Sequence, residues 1–147
     1  MSETPPVIIV SACLLGVACN HRGLSSPSAA VAALADEARL IPICPEVAGG
    51  LPTPRGPAEI QGDGRVLTAE GTDVTDAYMR GANQAVNVAR AAGATRAVLK
   101  ARSPSCGCHE VYDGTFTGTL RPGLGVTAAA LQAAGCAVES DEDLVDS

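Results

Sequence analysis

Apolar residues in this chain gather in short runs, and the runs switch between two spacings. Residues 7–11 (VIIVS) form an unbroken β-rich run and predict a short strand, followed by a Gly-containing loop. Residues 28–38 (SAAVAALADEA) predict a helix with Ser28 or Ser26 near its start. Residues 39–44 (RLIPIC) predict a second strand, one that tolerates a sheet edge because Pro42 cannot donate into a ladder. Residues 45–67 are rich in Pro and Gly and too long for an idle loop, so they are expected to fold over a site. Within them, Asp63-Gly64 lies between two short β-prone pieces and predicts a hairpin.

The clearest helical pattern covers residues 71–93. Val74, Tyr78, Ala82, Ala85, Val86, Ala89 and Ala92 fall on one stripe, while Asp76, Arg80, Asn83, Asn87 and Arg90 fall elsewhere. Thr72 or Asp73 can cap this helix, and Gly93 ends it. Residues 96–101 (RAVLKA) predict another strand, 126–135 a helix stopped by Gly135, and 136–140 (CAVES) a last short strand. Strands alternating with helices predict an α/β fold, three-layered and Rossmann-like, around a largely parallel sheet. A length of 147 residues suits one domain with a real core, taken as residues 1–147.

Composition narrows this picture. Hydrophobic residues make up 46% of the chain but aromatic ones only 2%, so the core must be built from Ala, Val, Leu and Ile. Such small side chains suit close packing of helices on a sheet. The net charge is −6 with no Lys/Arg cluster, which disfavours a grip on a nucleic-acid polymer but leaves a nucleotide open as a small ligand. No apolar run reaches the roughly 18 residues of a membrane span. Met1–Pro6 lacks a basic segment and the following apolar run is broken by polar and glycine residues, so no signal peptide is expected. The expected location is the cytoplasm. Structural disulfides are disfavoured there, and the six cysteines need another explanation.

Cys13, Cys44 and Cys106 share one local position, at or just beyond the carboxyl end of a predicted strand. In an open parallel sheet these ends lie along one edge, and ligand sites gather outside it. Thiols 31 and 62 residues apart can therefore meet, provided the strands are near neighbours. Soft thiolates suit zinc or iron–sulfur clusters. The local spacings, Cys13-x5-Cys19 and Cys106-Gly107-Cys108, are not those of zinc knuckles. A cubane on three cysteines would leave one iron open as a Lewis acid. The competing explanation is that several are small buried hydrophobes, which is the better reading of Cys136. Cys19 and Cys108 stay open between fourth ligand, resolving thiol and loop residue. His21 and His109 read as loop histidines, since neither has a partner three or four residues away.

Other chemistry sits beside the same strand ends. Glu46 lies two residues past Cys44 and can serve as a proton donor or acceptor, or be a solvated loop acid. Ser103 and Ser105 precede Cys106 and can orient a substrate or simply shape the turn. Arg55 can pair an anion or bridge Glu59.

The segments SACLLGVAC, CPEVAGGLPTPRGPAEI, GTDVTDAYMRGA, LKARSPSCG, YDGTF and GVTAAAL occur in this order. Together they resemble the thiouracil desulfurase family, from about residue 7 to about residue 140. The resemblance implies an α/β enzyme with a [4Fe-4S] cluster on three cysteines, by motif position Cys13, Cys44 and Cys106, and one open iron. It also implies catalytic roles for Glu46 and Ser103; Arg55 is expected, from its own place in the chain, as a substrate contact. The substrate would be a small thiolated pyrimidine, and the net change would be hydrolytic: thiouracil plus water gives uracil plus hydrogen sulfide, with no electron donor. Cys108 departs from the family pattern. Three alternatives remain. A zinc deaminase would need His-x-Glu and Pro-Cys-x2-Cys, both missing here. A cluster carrier, sulfur carrier or redox sensor built on Cys106 and Cys108 would not need Glu46. A plain ligand-binding domain would have only buried thiols.

Overall fold

The computed structural model describes residues 5–144. Met1–Thr4, part of the segment judged above for a leader, lie outside the described residues. Four parallel strands form the central sheet: β1 (Val7–Ser11), β2 (Arg39–Ile43), β5 (Arg96–Leu99) and β8 (Ala137–Ser140), in the order β2-β1-β5-β8. Pro42 is indeed on an edge strand, paired in register with Val10 on one side only. The α/β, largely parallel architecture expected from the alternation of runs is the one observed.

Helices cover both faces. On one face Ile9, Ala97 and Leu99 pack against Ala85 and Ala89 of α3 (Thr75–Ala92) and Ala128 and Leu131 of α4 (Val126–Ala133). On the other, Ile8, Val10 and Val98 pack against Val31 of α1 (Ala29–Ala33) and the 3-10 turn Ala12–Leu15. Alternate strand residues thus feed opposite layers, as the period of two requires. Two antiparallel hairpins stand outside the sheet: β3 (Ala58–Ile60) with β4 (Val66–Thr68), and β6 (Glu110–Tyr112) with β7 (Leu120–Pro122). The first is the hairpin that Asp63-Gly64 announces, with Gly64 at φ +91°. Among the described residues no helix is long and apolar enough to cross a membrane.

Element ends differ from the sequence expectation in three places. The helix expected over 28–38 is a short α1 followed by a 3-10 turn, Leu34–Asp36; Ser28, not Ser26, caps it by accepting the Val31 N–H at 3.2 Å. The long helix starts at Thr75. Thr72 belongs to the turn after β4, donating its N–H to Thr68 Oγ1 at 3.0 Å, and Asp73 accepts the Thr75 N–H at 2.9 Å from just outside the helix. Residues Pro45–Ala48 form a one-turn helix, α2, at the start of the Pro- and Gly-rich segment expected to fold over a site, with Pro45 in the first turn.

That one-turn helix lies backbone-to-backbone on α3. An added Cβ at Gly81 would stand 2.6 Å from the Pro45 carbonyl carbon, and one at Gly49 would stand 2.9 Å from the Ala77 carbonyl carbon. Neither glycine needs a left-handed backbone; both are there because any side chain would drive the helices apart.

Candidate active site

A cavity of about 560 Å³ opens at the carboxyl ends of the central strands. From β1 the chain moves outward to β2, then crosses back over to β5 on the other side of β1. The gap between β1 and β5 is therefore the sheet's switch point, the usual place for a ligand. Cys13 lies in the turn directly after β1, Cys44 directly precedes α2 after β2, and Cys106 lies in the loop after β5; all three line the cavity. Ser11 Oγ accepts the Lys100 N–H at 2.9 Å, which ties the ends of β1 and β5 together beneath them.

The Cys106 loop is rigid for local reasons. Ser103 Oγ accepts the N–H groups of Ser105 and Cys106, each at 3.0 Å, and Ser103 O accepts the Gly107 N–H at 2.8 Å. Ser103 thus shapes the turn and also lines the cavity. Its hydroxyl proton has no protein acceptor among the described residues. Ser105 is fully buried and does not line the cavity; its Oγ meets Thr127 Oγ1 at 2.7 Å, and its carbonyl accepts the N–H groups of Thr127 and Ala128 at the start of α4. A Cβ at Gly125 would stand 2.5 Å from that carbonyl, so the helix can approach the loop only through glycine.

Burial raises the pKa values of the Cys13, Cys19 and Cys106 thiols. Cys106 is pushed up to about 12, with the Glu46 charge adding to burial and a hydrogen bond with Ser11 opposing it. Cys44 reinforces the shift at both Cys13 and Cys19. The thiols oppose one another's ionisation, and a cationic centre is what would let several exist as thiolates together. Tetrahedral donors on one ion with bonds of ~2.3 Å lie about 3.8 Å apart. Among the described residues, the trio whose ligand atoms all come within 4.8 Å of one another is Cys108, His109 and Asp143, so the strand-end thiols are set wider.

Glu46 is held from one side. Tyr78 Oη donates to its Oε2 at 2.8 Å and Arg55 Nε donates to the same oxygen at 3.1 Å. The other carboxylate oxygen has no protein partner among the described residues, and the residue lines the cavity. Burial and then the Glu46 charge raise the Tyr78 phenol far above its ordinary value, so it stays a donor. Burial opposes the Arg55 charge, but Glu46 outweighs it and the guanidinium sits above its usual pKa.

Arg55, expected as a substrate contact, lines the cavity. Its side chain is only 6% exposed, and its donors reach Glu46, Cys19 O (2.9 Å), Cys44 Sγ (4.0 Å), Pro52 O (3.2 Å) and Thr53 Oγ1 (3.1 Å). It does not bridge Glu59, whose carboxylate accepts the N–H groups of Gly114 (2.9 Å) and Phe116 (3.1 Å). Residue types alone do not reveal the Tyr78 contact: Tyr78 reads as one member of an apolar stripe, although a phenol there requires a partner for its hydroxyl. Cys19 joins the cavity, accepting Cys44 Sγ at 3.6 Å through its carbonyl. Cys136 is buried beside Ala94 O, as its core reading expects. Cys108 is not part of the cavity wall.

The 2-thiouracil desulfurase family model matches residues 8–143. The uncharacterized protein YbbK of Bacillus subtilis is 42% identical over 149 residues, covering 95% of this chain and 99% of that protein. A solved structure, the [4Fe-4S]-dependent thiouracil desulfidase TudS, superposes with a TM-score of 0.88 at 47% identity, covering 95% of this chain and 93% of that one.

Proposed function

The chain belongs to the 2-thiouracil desulfurase family, and from that premise we propose that it hydrolyses the C=S bond of a small thiolated pyrimidine with the help of a [4Fe-4S] cluster on Cys13, Cys44 and Cys106. The observation that carries this reading is one cavity holding three thiols and a carboxylate with a single clamped oxygen. A volume of about 560 Å³ falls within the range of small-molecule sites. When bound, a cluster with an open iron supplies a thiophilic Lewis acid for the thiocarbonyl sulfur.

The chain's own residues supply the proton chemistry. Tyr78 and Arg55 hold Glu46 Oε2, which leaves Oε1 to take a proton from the attacking water and return it as sulfur departs. Ser103 Oγ, already accepting two N–H bonds, has a proton to give to a polar atom of the ring. Water oxygen ends on carbon and sulfur leaves as hydrogen sulfide. Electrons balance without a donor.

Anaerobic purification followed by iron, labile-sulfide and sulfide-release assays on 2-thiouracil tests this. The wild type is expected to hold close to four irons and release sulfide; Glu46→Gln keeps the iron and loses turnover. An iron-free but active enzyme, or a fully active Glu46→Gln, overturns the assignment.

A further inference from the structure

We propose that Cys108, His109 and Asp143 form a second metal site, on the outer side of the cluster loop, for a single borderline divalent cation of the zinc class. Their ligand atoms all lie within 4.8 Å of one another, close enough for a small movement to bring them around one ion. Thiolate, imidazole and carboxylate together are a donor set that zinc accepts, with the fourth position left to water.

Two of the three ligands already meet. His109 Nε2 lies 3.1 and 2.9 Å from the two carboxylate oxygens of Asp143. Asp143 Oδ2 also accepts the Ser140 N–H at 2.8 Å, which fixes the carboxylate at the end of β8. The opposite side is fixed as well. Gly107 O accepts the Gly125 N–H at 2.6 Å and His109 O accepts the Gly123 N–H at 3.2 Å. A Cβ at Gly107 would stand 2.9 Å from both Ser103 O and Glu110 O, so the backbone between the cluster ligand and Cys108 is crowded on both sides. That crowding accounts for glycine at this position.

Asp143 itself supplies the negative charge beside Cys108, and Glu139 nearby is already paired with Arg96. His109 and Asp143 are exposed, so an ion can arrive without the fold opening. Once bound, the ion would join the loop that carries Cys106 to the C-terminal 3-10 turn Asp141–Leu144. Its place would be structural: a further tie between two segments that also meet through the His109–Asp143 pair, the Arg102–Glu142 ion pair and the Ala101 N–H bond to Asp141 Oδ1.

Equilibrium dialysis of the cluster-loaded chain against buffered zinc, with zinc X-ray absorption on the product, tests this site. One zinc per chain is expected, with one sulfur and one imidazole among its ligands. Cys108→Ser and His109→Ala should each weaken zinc binding by ~100-fold or more while the iron content stays at the wild-type value. Asp143→Asn, which keeps the side-chain volume, should also weaken it. Zinc bound through sulfur alone and unmoved by His109→Ala overturns the proposal, because that ion sits on the cavity thiols. So does zinc failing to bind the wild type at micromolar concentrations. Iron content is read separately, so failure here is distinguishable from failure of the cluster reading.

Discussion

Gly81→Ala should destabilise this protein, although the same change at an ordinary helix position would help it. In mid-helix, alanine is favoured over glycine by about 1 kcal/mol. Gly81 lies inside α3, yet its added Cβ would stand 2.6 Å from the Pro45 carbonyl carbon. Carbon atoms pack best at about 3.5–4.0 Å, so α2 would have to retreat by roughly 1 Å. The obstacle is backbone, which cannot rotate aside as a side chain would. Overpacking of this kind costs about 1–3 kcal/mol; less the helix gain, the net loss reaches about 2 kcal/mol, a fall in Tm of roughly 4–8 °C. The retreat also acts on chemistry, because α2 carries Glu46. A further ~1 Å would stretch the 2.8 Å bond from Tyr78 Oη to Glu46 beyond hydrogen-bonding distance. A displacement of that size costs on the order of 100-fold in rate. Calorimetry and sulfide release measure the two effects, with Gln84→Ala on the exposed face of α3 as the helix-propensity control. If Gly81→Ala matches or exceeds the wild type in Tm and keeps full activity, the backbone contact does not position Glu46 and the reasoning is wrong.

Serine in place of Cys13, Cys44 or Cys106 should remove iron and labile sulfide together, whereas Cys136→Ser, in the core beside Ala94 O, should retain both; iron analysis after reconstitution decides this. Tyr78→Phe removes one donor from the Glu46 carboxylate while keeping the ring's packing. A hydrogen bond to a charged group contributes about 1.5–3 kcal/mol, so kcat should fall by roughly 10- to 100-fold with iron content unchanged. An effect confined to KM would refute the positioning role. The same variant has a signature in base. Burial and the Glu46 charge raise the Tyr78 pKa in the folded state, so its stabilising effect is complete below the free phenol value of about pH 10 and is lost as pH rises above it. The difference in Tm between wild type and Tyr78→Phe should therefore shrink on going above about pH 10.

What the sequence discloses and what it hides divide along one physical line. Period and punctuation act locally, so VIIVS, RLIPI and the Tyr78–Ala89 stripe appear as the elements they become, and Pro42 lands on the edge strand. The convergence of Cys13, Cys44 and Cys106 follows from that same local information plus one rule of parallel sheets, because Cys13 and Cys44 follow strand ends closely and Cys106 lies in the loop that leaves β5. The contacts that shape the site are different in kind. Tyr78 to Glu46 spans 32 residues, and Glu59 to Gly114 spans 55. Nothing near either carboxylate in sequence announces its partner. Arg55 shows the consequence: Glu59 is its near neighbour in the chain and the natural partner on paper, yet Glu46 takes it because the turn after α2 returns the guanidinium to the cavity wall. The glycines mark the boundary between the two kinds of information. Gly49, Gly81 and Gly125 read as breaks or as weak helix positions when only their own segment is considered. Each in fact admits a carbonyl of a distant segment: Ala77, Pro45 and Ser105 in turn. In a chain whose core is built from alanine and valine, helices come close enough for such meetings to matter. The absence of bulk that makes the sequence look plain is what permits α2 and the Cys106 loop to be fixed by backbone rather than by side chains.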